Sequence, residues 1–356
     1  MGQGTTHPSS HRADVRQPLG ASHVGLERRQ TQAGSPLAQP SDQAVSGAPR
    51  PGSAGFVLLG GSGSSGTTLI ASVLDGLHDL RTTAETWLFH QRQLHRDPRS
   101  LSRLLREGGE SVTHPVGRLA VPLVPGGCFV NRELLGMADE AVPDDLQLVP
   151  YVARVKAAMA ARWGGSPDFL WVDQTPKNAF AAREYLQSQP DGRFIHVLRD
   201  GRDVVCSLLG RWQREAPGHP MRNYLVGSAL NWAWDVTQAR RARALPGYLE
   251  VRYEEFVRDP VGGTNRILLH LGRPPVSAEA FEANRSSGAR AERMAWGAKP
   301  SWGSTPDQPI HTGSVGRWRQ KLAPEVVKAL RTVRFAVPGE GQVSVGEVLD
   351  SCGYWD

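Results

Sequence analysis

From Phe56 onward the chain alternates short, nearly uninterrupted apolar runs with longer stretches in which apolar residues return every three to four positions. Runs of the first kind predict strands buried on both faces, the second kind predicts helices, and their alternation predicts a parallel sheet covered by helices. The predicted strands are 56–60, 80–84, 169–172, 193–198 and 248–252. Helices are predicted at 67–77, 179–187, 203–212 and 261–271, near 146–163 and 221–245, and at the end near 324–333 and 344–352. Residues 285–314 are rich in Gly, Ser, Pro and Trp without a period, which predicts a functional loop. The expected fold class is α/β, a three-layer sandwich with a central parallel sheet flanked by helices.

Residues 1–54 lack any apolar period and are rich in Gly, Ser, Pro, Gln and His, the pattern of a disordered tail with no apolar core for a signal peptide. At 356 residues the length suggests two domains, yet the motifs below follow one another as a single domain over 55–356. Apolar residues at 39% and charged residues at 21% fit a soluble globular chain, and no apolar run approaches the roughly 18 residues of a membrane helix. The net charge is +6, and only five of the 41 basic residues are lysines. That arginine excess fits either a coding bias or recognition of phosphate-like anions. Two of the six surplus charges lie in 1–54, leaving too little beyond it for a nucleic-acid surface. Cys128, Cys206 and Cys352 are too few and too widely spaced for a disulfide framework or a metal site, which fits a reducing, cytoplasmic compartment.

Two segments carry the chemistry. The first strand runs into Gly60-Gly-Ser-Gly-Ser-Ser-Gly-Thr-Thr68 and then directly into a helical run. Small residues there let backbone N–H groups converge on an anion at a helix N-terminus. A flexible glycine-serine turn would not require the strand and helix on either side. Gly61 and Gly66 have the spacing of a nucleotide-triphosphate loop, but Thr67 stands where its lysine belongs, which weakens a kinase or NTPase reading. The second segment is the strand ending Val197-Leu-Arg199, followed by Asp-Gly-Arg-Asp-Val-Val-Cys-Ser207 and Arg211. Arg199 at the strand end, with Ser207 and Arg211 on one helical face, can grip a second anion, while Arg202 and Asp203 are expected to serve the turn and helix start.

Together, Gly61-Ser-Gly-Ser-Ser-Gly-Thr-Thr68 and Val197–Ser207 resemble the 5′-phosphosulfate loop and 3′-phosphate motif of sulfotransferases that use 3′-phosphoadenylyl sulfate (PAPS). The branch most similar contains the tyrosylprotein sulfotransferases and many bacterial relatives. The resemblance covers about 55–335, with 89–168 largely unmatched and expected, together with 221–245, to surround the acceptor. It implies a P-loop-type fold and a donor site built from Gly61, Ser62, Gly63, Ser64, Ser65, Gly66, Thr67, Thr68, Arg199, Ser207 and Arg211. Val251-Arg-Tyr253 is similar to the family's strand-end segment, whose tyrosine approaches the donor, and Gly313-Ser-Val-Gly-Arg-Trp318 to its late loop. Those matches add Tyr253, Ser314, Gly316 and, as a clamp, Arg317.

The resemblance implies PAPS as co-substrate, PAP as product, no metal, and Glu85 as the base that deprotonates a hydroxyl acceptor; activity kept by Glu85→Gln would point instead to His90 or His95. Ser64 and Gln174 stand where many relatives carry cations, which makes Lys177, beside the Thr175-Pro176 helix start, the candidate to meet the sulfuryl group. Thr175 is expected to cap that helix and Pro176 to open it. The acceptor class is a small molecule, lipid or glycan. A kinase of similar fold and a catalytically inactive PAPS-binding module are the alternatives.

Overall fold

The computed structural model describes residues 55–83, 85–107, 112–114, 117–119, 144–215, 221–286 and 309–355. The expected tail and most of the 285–314 loop lie outside this set. Five strands form one sheet: β1 (Phe56–Gly61), β2 (Leu80–Thr82), β5 (Leu170–Asp173), β6 (Phe194–Leu198) and β7 (Tyr248–Arg252). Two short strands, β3 (Val112–His114) and β4 (Gly117–Leu119), pair separately. The sheet order is β2-β5-β1-β6-β7 and every pairing is parallel. All five predicted strands are therefore present, although β2 ends two residues early.

The α/β fold is thus a parallel sheet with helices on both faces. Phe56, Leu58, Trp171 and Phe194 face one core, shared with α2 (Arg92–Arg96), α3 (Leu101–Glu107), α4 (Leu148–Trp163) and α5 (Ala182–Ser188). The intervening Val57, Leu59, Val172 and Ile195 face the other, shared with α1 (Thr67–Leu74) and with α8 (Tyr253–Arg258), α9 (Pro260–His270) and α10 (Ala278–Ser286). This strict alternation is why each strand reads as continuously apolar. A third cluster joins α6 (Gly201–Glu215) and α7 (Met221–Arg240) to α11 (Trp318–Lys321), α12 (Pro324–Thr332) and α13 (Val345–Ser351).

Several boundaries differ from the predicted ones for physical reasons. Helix α1 stops at Leu74 because Asp75 is extended and Gly76 has φ 88°. Helix α6 starts two residues before Asp203, at Gly201, where a β-carbon would lie 2.5 Å from the Trp232 ring, so the glycine lets α6 pack closely on α7. The predicted helix at 179–187 begins as a 3-10 turn, Pro176–Phe180, before α5. An unforeseen hairpin, β8 (Arg334–Val337) with β9 (Gly341–Ser344), separates the last two helices. Within 89–168, α2, α3 and α4 pack into the first core, while residues 120–143 of the expected acceptor-side insert lie outside the described set.

Candidate active site

A cleft of about 530 Å3 opens where the C-terminal ends of β1, β5 and β6 meet the helices that follow. This is the end of a parallel sheet at which loops are free to diverge and bind ligands. Of the residues singled out in the sequence, Ser62, Gly63, Ser64, Gly66, Thr67, Thr68, Glu85, Lys177, Arg199, Ser207, Arg211 and Tyr253 line it. Gly61, Ser65, Ser314, Gly316 and Arg317 are not among the residues that line it.

The first cradle follows from backbone constraints. Gly61 lies against β6, where a β-carbon would come within 2.4 Å of the Val197 carbonyl oxygen. Ser64 is left-handed at φ 69°, and Gly66, at φ 101°, precedes α1 directly. A β-carbon on Gly66 would meet the Tyr253 ring at 2.5 Å. No side chain caps α1, so the amides of its first turn and its positive dipole end face the cleft.

Arg199 joins this cradle to the second. Its guanidinium stacks 4.4 Å from the Tyr253 ring centre and donates to the Ser64 carbonyl at 3.0 Å and the Ser314 carbonyl at 2.7 Å. Its Nε is buried and has no partner among the described residues. Ser207 and Arg211 extend the cationic wall along α6. Behind it, the Asp203 carboxylate accepts from the Gly316 amide at 2.6 Å and the Trp318 amide at 3.0 Å, while Tyr253 Oη and Ser314 Oγ pair at 2.7 Å. Asp203 therefore fastens the late loop rather than merely opening a helix. Arg317 donates to the Asp203 carbonyl and supports the wall from outside the cleft; Pro309, Ile310 and His311 are the loop residues that reach it.

Across the mouth, Glu85 is held by its neighbours. The Thr86 and Trp87 amides donate to Thr175 Oγ1 at 2.9 and 3.2 Å. Thr175 thus precedes the 3-10 turn as expected, but its hydroxyl pins the Glu85 loop instead of capping. Burial, reinforced by the Asp173 carboxylate nearby, raises the Glu85 pKa to about 7, against the opposing pull of Arg211, a hydrogen bond from Trp87, and Lys177. A carboxylate poised there can take up a proton at neutral pH. His90 and His95 do not line the cleft, and burial lowers their pKa values to about 3 and about 4.

Lys177 reaches the cleft floor and donates to both carboxylate oxygens of Asp235, at 2.7 and 2.9 Å. Gln174 turns away, its amide directed to the Thr83 carbonyl at 3.4 Å. Asp235 and Asn231, one turn apart on α7, are cleft residues the sequence reading did not single out. Their signal was present, since Asp235 is an acid between Trp234 and Val236 in a helix otherwise apolar on that stretch. Trp232 and Trp234 are buried in the core that α6 and α7 share, whereas Trp87 lines the cleft.

A strand-loop-helix turn tied by Arg199 to the wall that holds Ser207 and Arg211, in one cleft with a carboxylate of raised pKa, has the make-up of a group-transfer site for an anionic donor. The sequence profile of the sulfotransferase family matches residues 57–277, and the chain belongs to that family. Its enzymes are transferases that take the sulfuryl group from PAPS. The sulfotransferase domain of the Synechococcus PCC 7002 olefin synthase is similar in fold, with a TM-score of 0.50 and 17% identity over 85% of this chain and 94% of that one. The sulfotransferase domain from the curacin biosynthetic pathway gives 0.48 at 15% identity, covering 84% and 97%. Mouse sulfotransferase SULT7A1, solved in complex with PAP, gives 0.41 at 15% identity, covering 77% and 81%. No curated protein matches the chain in sequence.

Proposed function

We propose that the chain transfers the sulfuryl group of PAPS to a hydroxyl of a small-molecule, lipid or glycan acceptor, as a cytoplasmic member of the branch resembling tyrosylprotein sulfotransferases and their bacterial relatives. The observation that carries this reading is the bridging of both cradles by Arg199 in a cleft that Glu85 also lines. The residues suit PAPS in kind. The uncapped amides at the N-terminus of α1 offer N–H donors to the 5′-phosphosulfate, and Arg199, Ser207 and Arg211 offer donors to the 3′-phosphate. PAPS, when bound, supplies an activated sulfuryl group with PAP as leaving group.

The chain's own residues do the rest. Glu85 accepts the proton of the acceptor hydroxyl while the acceptor oxygen bonds to sulfur and the bridging S–O bond breaks toward PAP. Lys177 provides an N–H donor at the cleft floor where charge accumulates on the transferring group. Trp87, Leu69, Leu208 and Ile310 add apolar surface to the cleft, and Trp87, two residues from Glu85, is the one placed to meet the acceptor. Among the described residues no helix is long and apolar enough to cross a membrane.

Incubation with sulfur-labelled PAPS and a panel of phenols, sterols, glycolipids and cell-extract metabolites tests the reading. Label is expected in an acceptor ester. PAP binding without transfer to any acceptor would favour the inactive module, and phosphate transfer from ATP would favour the kinase.

A further inference from the structure

Asp235 is wholly buried, yet its carboxylate borders the cleft. An isolated carboxylate in that place would be costly, because burial disfavours its charge. Its partner is the Lys177 ammonium, whose side chain keeps 13% of its surface accessible while Asp235 keeps none. Two of the three ammonium donor directions are committed to Asp235 Oδ1 and Oδ2, and Phe180 lies 5.0 Å from the same nitrogen. Neither contact takes the third donor, and Lys177 lines the cleft near enough to Glu85 to act on its charge. The pair as a whole is neutral, so it supplies an aimed N–H rather than surplus charge.

We propose that Asp235 is a positioning residue that acts through Lys177, fixing the ammonium so that its remaining donor meets the transferring sulfuryl group. The inference rests on the donor reading above. Lys177 comes from the turn after β5 and Asp235 from the C-terminal half of α7, so the bond between them ties a flexible lysine stem to a second element. The charged and titratable groups around the pair are Glu85 and His90 near Lys177, and His196 on β6 near Asp235; the Ser62 hydroxyl also faces Asp235.

Calorimetry with PAP and PAPS, melting temperatures, and a double-mutant cycle of Lys177→Met with Asp235→Asn form the test. Asp235→Asn is expected to leave PAP affinity within about twofold, to weaken PAPS roughly tenfold, and to lower kcat roughly 10- to 100-fold, the range for a displaced group near reacting atoms. In the Lys177→Met background the second substitution is expected to cause no further loss of kcat or PAPS affinity. Additive losses in the cycle would overturn the proposal, as would parallel weakening of PAP and PAPS together with a lowered melting temperature. Unchanged PAPS affinity and kcat in Asp235→Asn, with the wild type binding both nucleotides, would overturn this inference alone. A wild type that binds neither would overturn the donor reading and this inference with it.

Discussion

Glu85 shows how a single side chain acquires its chemistry from what surrounds it. Its loop is pinned by Thr175, and burial with the Asp173 carboxylate raises its pKa to about 7. A base works only when deprotonated, so kcat/KM is expected to rise with pH through about 7 and level above it. Asp173→Asn removes the neighbouring negative charge, stabilises ionised Glu85, and should move that limb to lower pH in a pH-rate profile. Glu85→Gln should cut turnover roughly 10²- to 10⁴-fold while leaving PAP affinity unchanged. The base was legible in the sequence only through the resemblance. Its pinning by Thr175 was not, because that contact spans 89 positions in the chain.

At the scale of elements, the site depends on how closely strands, helices and loops approach one another. Gly66 combines φ 101° with a Tyr253 ring where a β-carbon would sit, so Gly66→Ala should displace either the loop or the ring that supports Arg199. The expected result is a loss of PAP affinity larger than the loss of melting temperature. Asp203 joins α6 to the late loop through two amides. Asp203→Ala leaves both without that charged acceptor, at a cost of about 1–3 kcal/mol each if they stay buried, and chemical denaturation is expected to show that loss. The strand-loop-helix cradle could be read directly, since its pattern is local and set by backbone freedom. The Lys177–Asp235 pair and the β8–β9 hairpin could not, because neither is specified by periodicity alone: one depends on how α7 packs against the turn after β5, the other on a four-residue alternation too short to stand out.

Across the whole molecule, buried polar groups link stability to pH. His95 is enclosed beside Tyr185 and donates to or accepts from nothing in the cleft; burial lowers its pKa to about 4 from an ordinary 6.5. Unfolding lets it bind a proton, so its contribution is present above about 6.5 and is lost as pH falls toward 4. The stability difference between wild type and His95→Gln, read from denaturant midpoints, should therefore shift against the wild type by on the order of 3 kcal/mol from pH 7 to 4. Among the described residues, those lining the cleft run from Ser62 to His311, and a chain lacking residues 1–54 is expected to keep the melting temperature and PAP affinity of the full chain. The arginine excess of the composition acquires a specific meaning at Arg199, which holds both cradles together. Calorimetric titration of PAP into the wild type, Glu85→Gln and Arg199→Ala tests that arrangement most directly. Binding by the first two with equal affinity, and weakening of roughly 10- to 100-fold in the third, is the predicted result. Absence of PAP binding by the wild type, or unchanged affinity in Arg199→Ala, would contradict it.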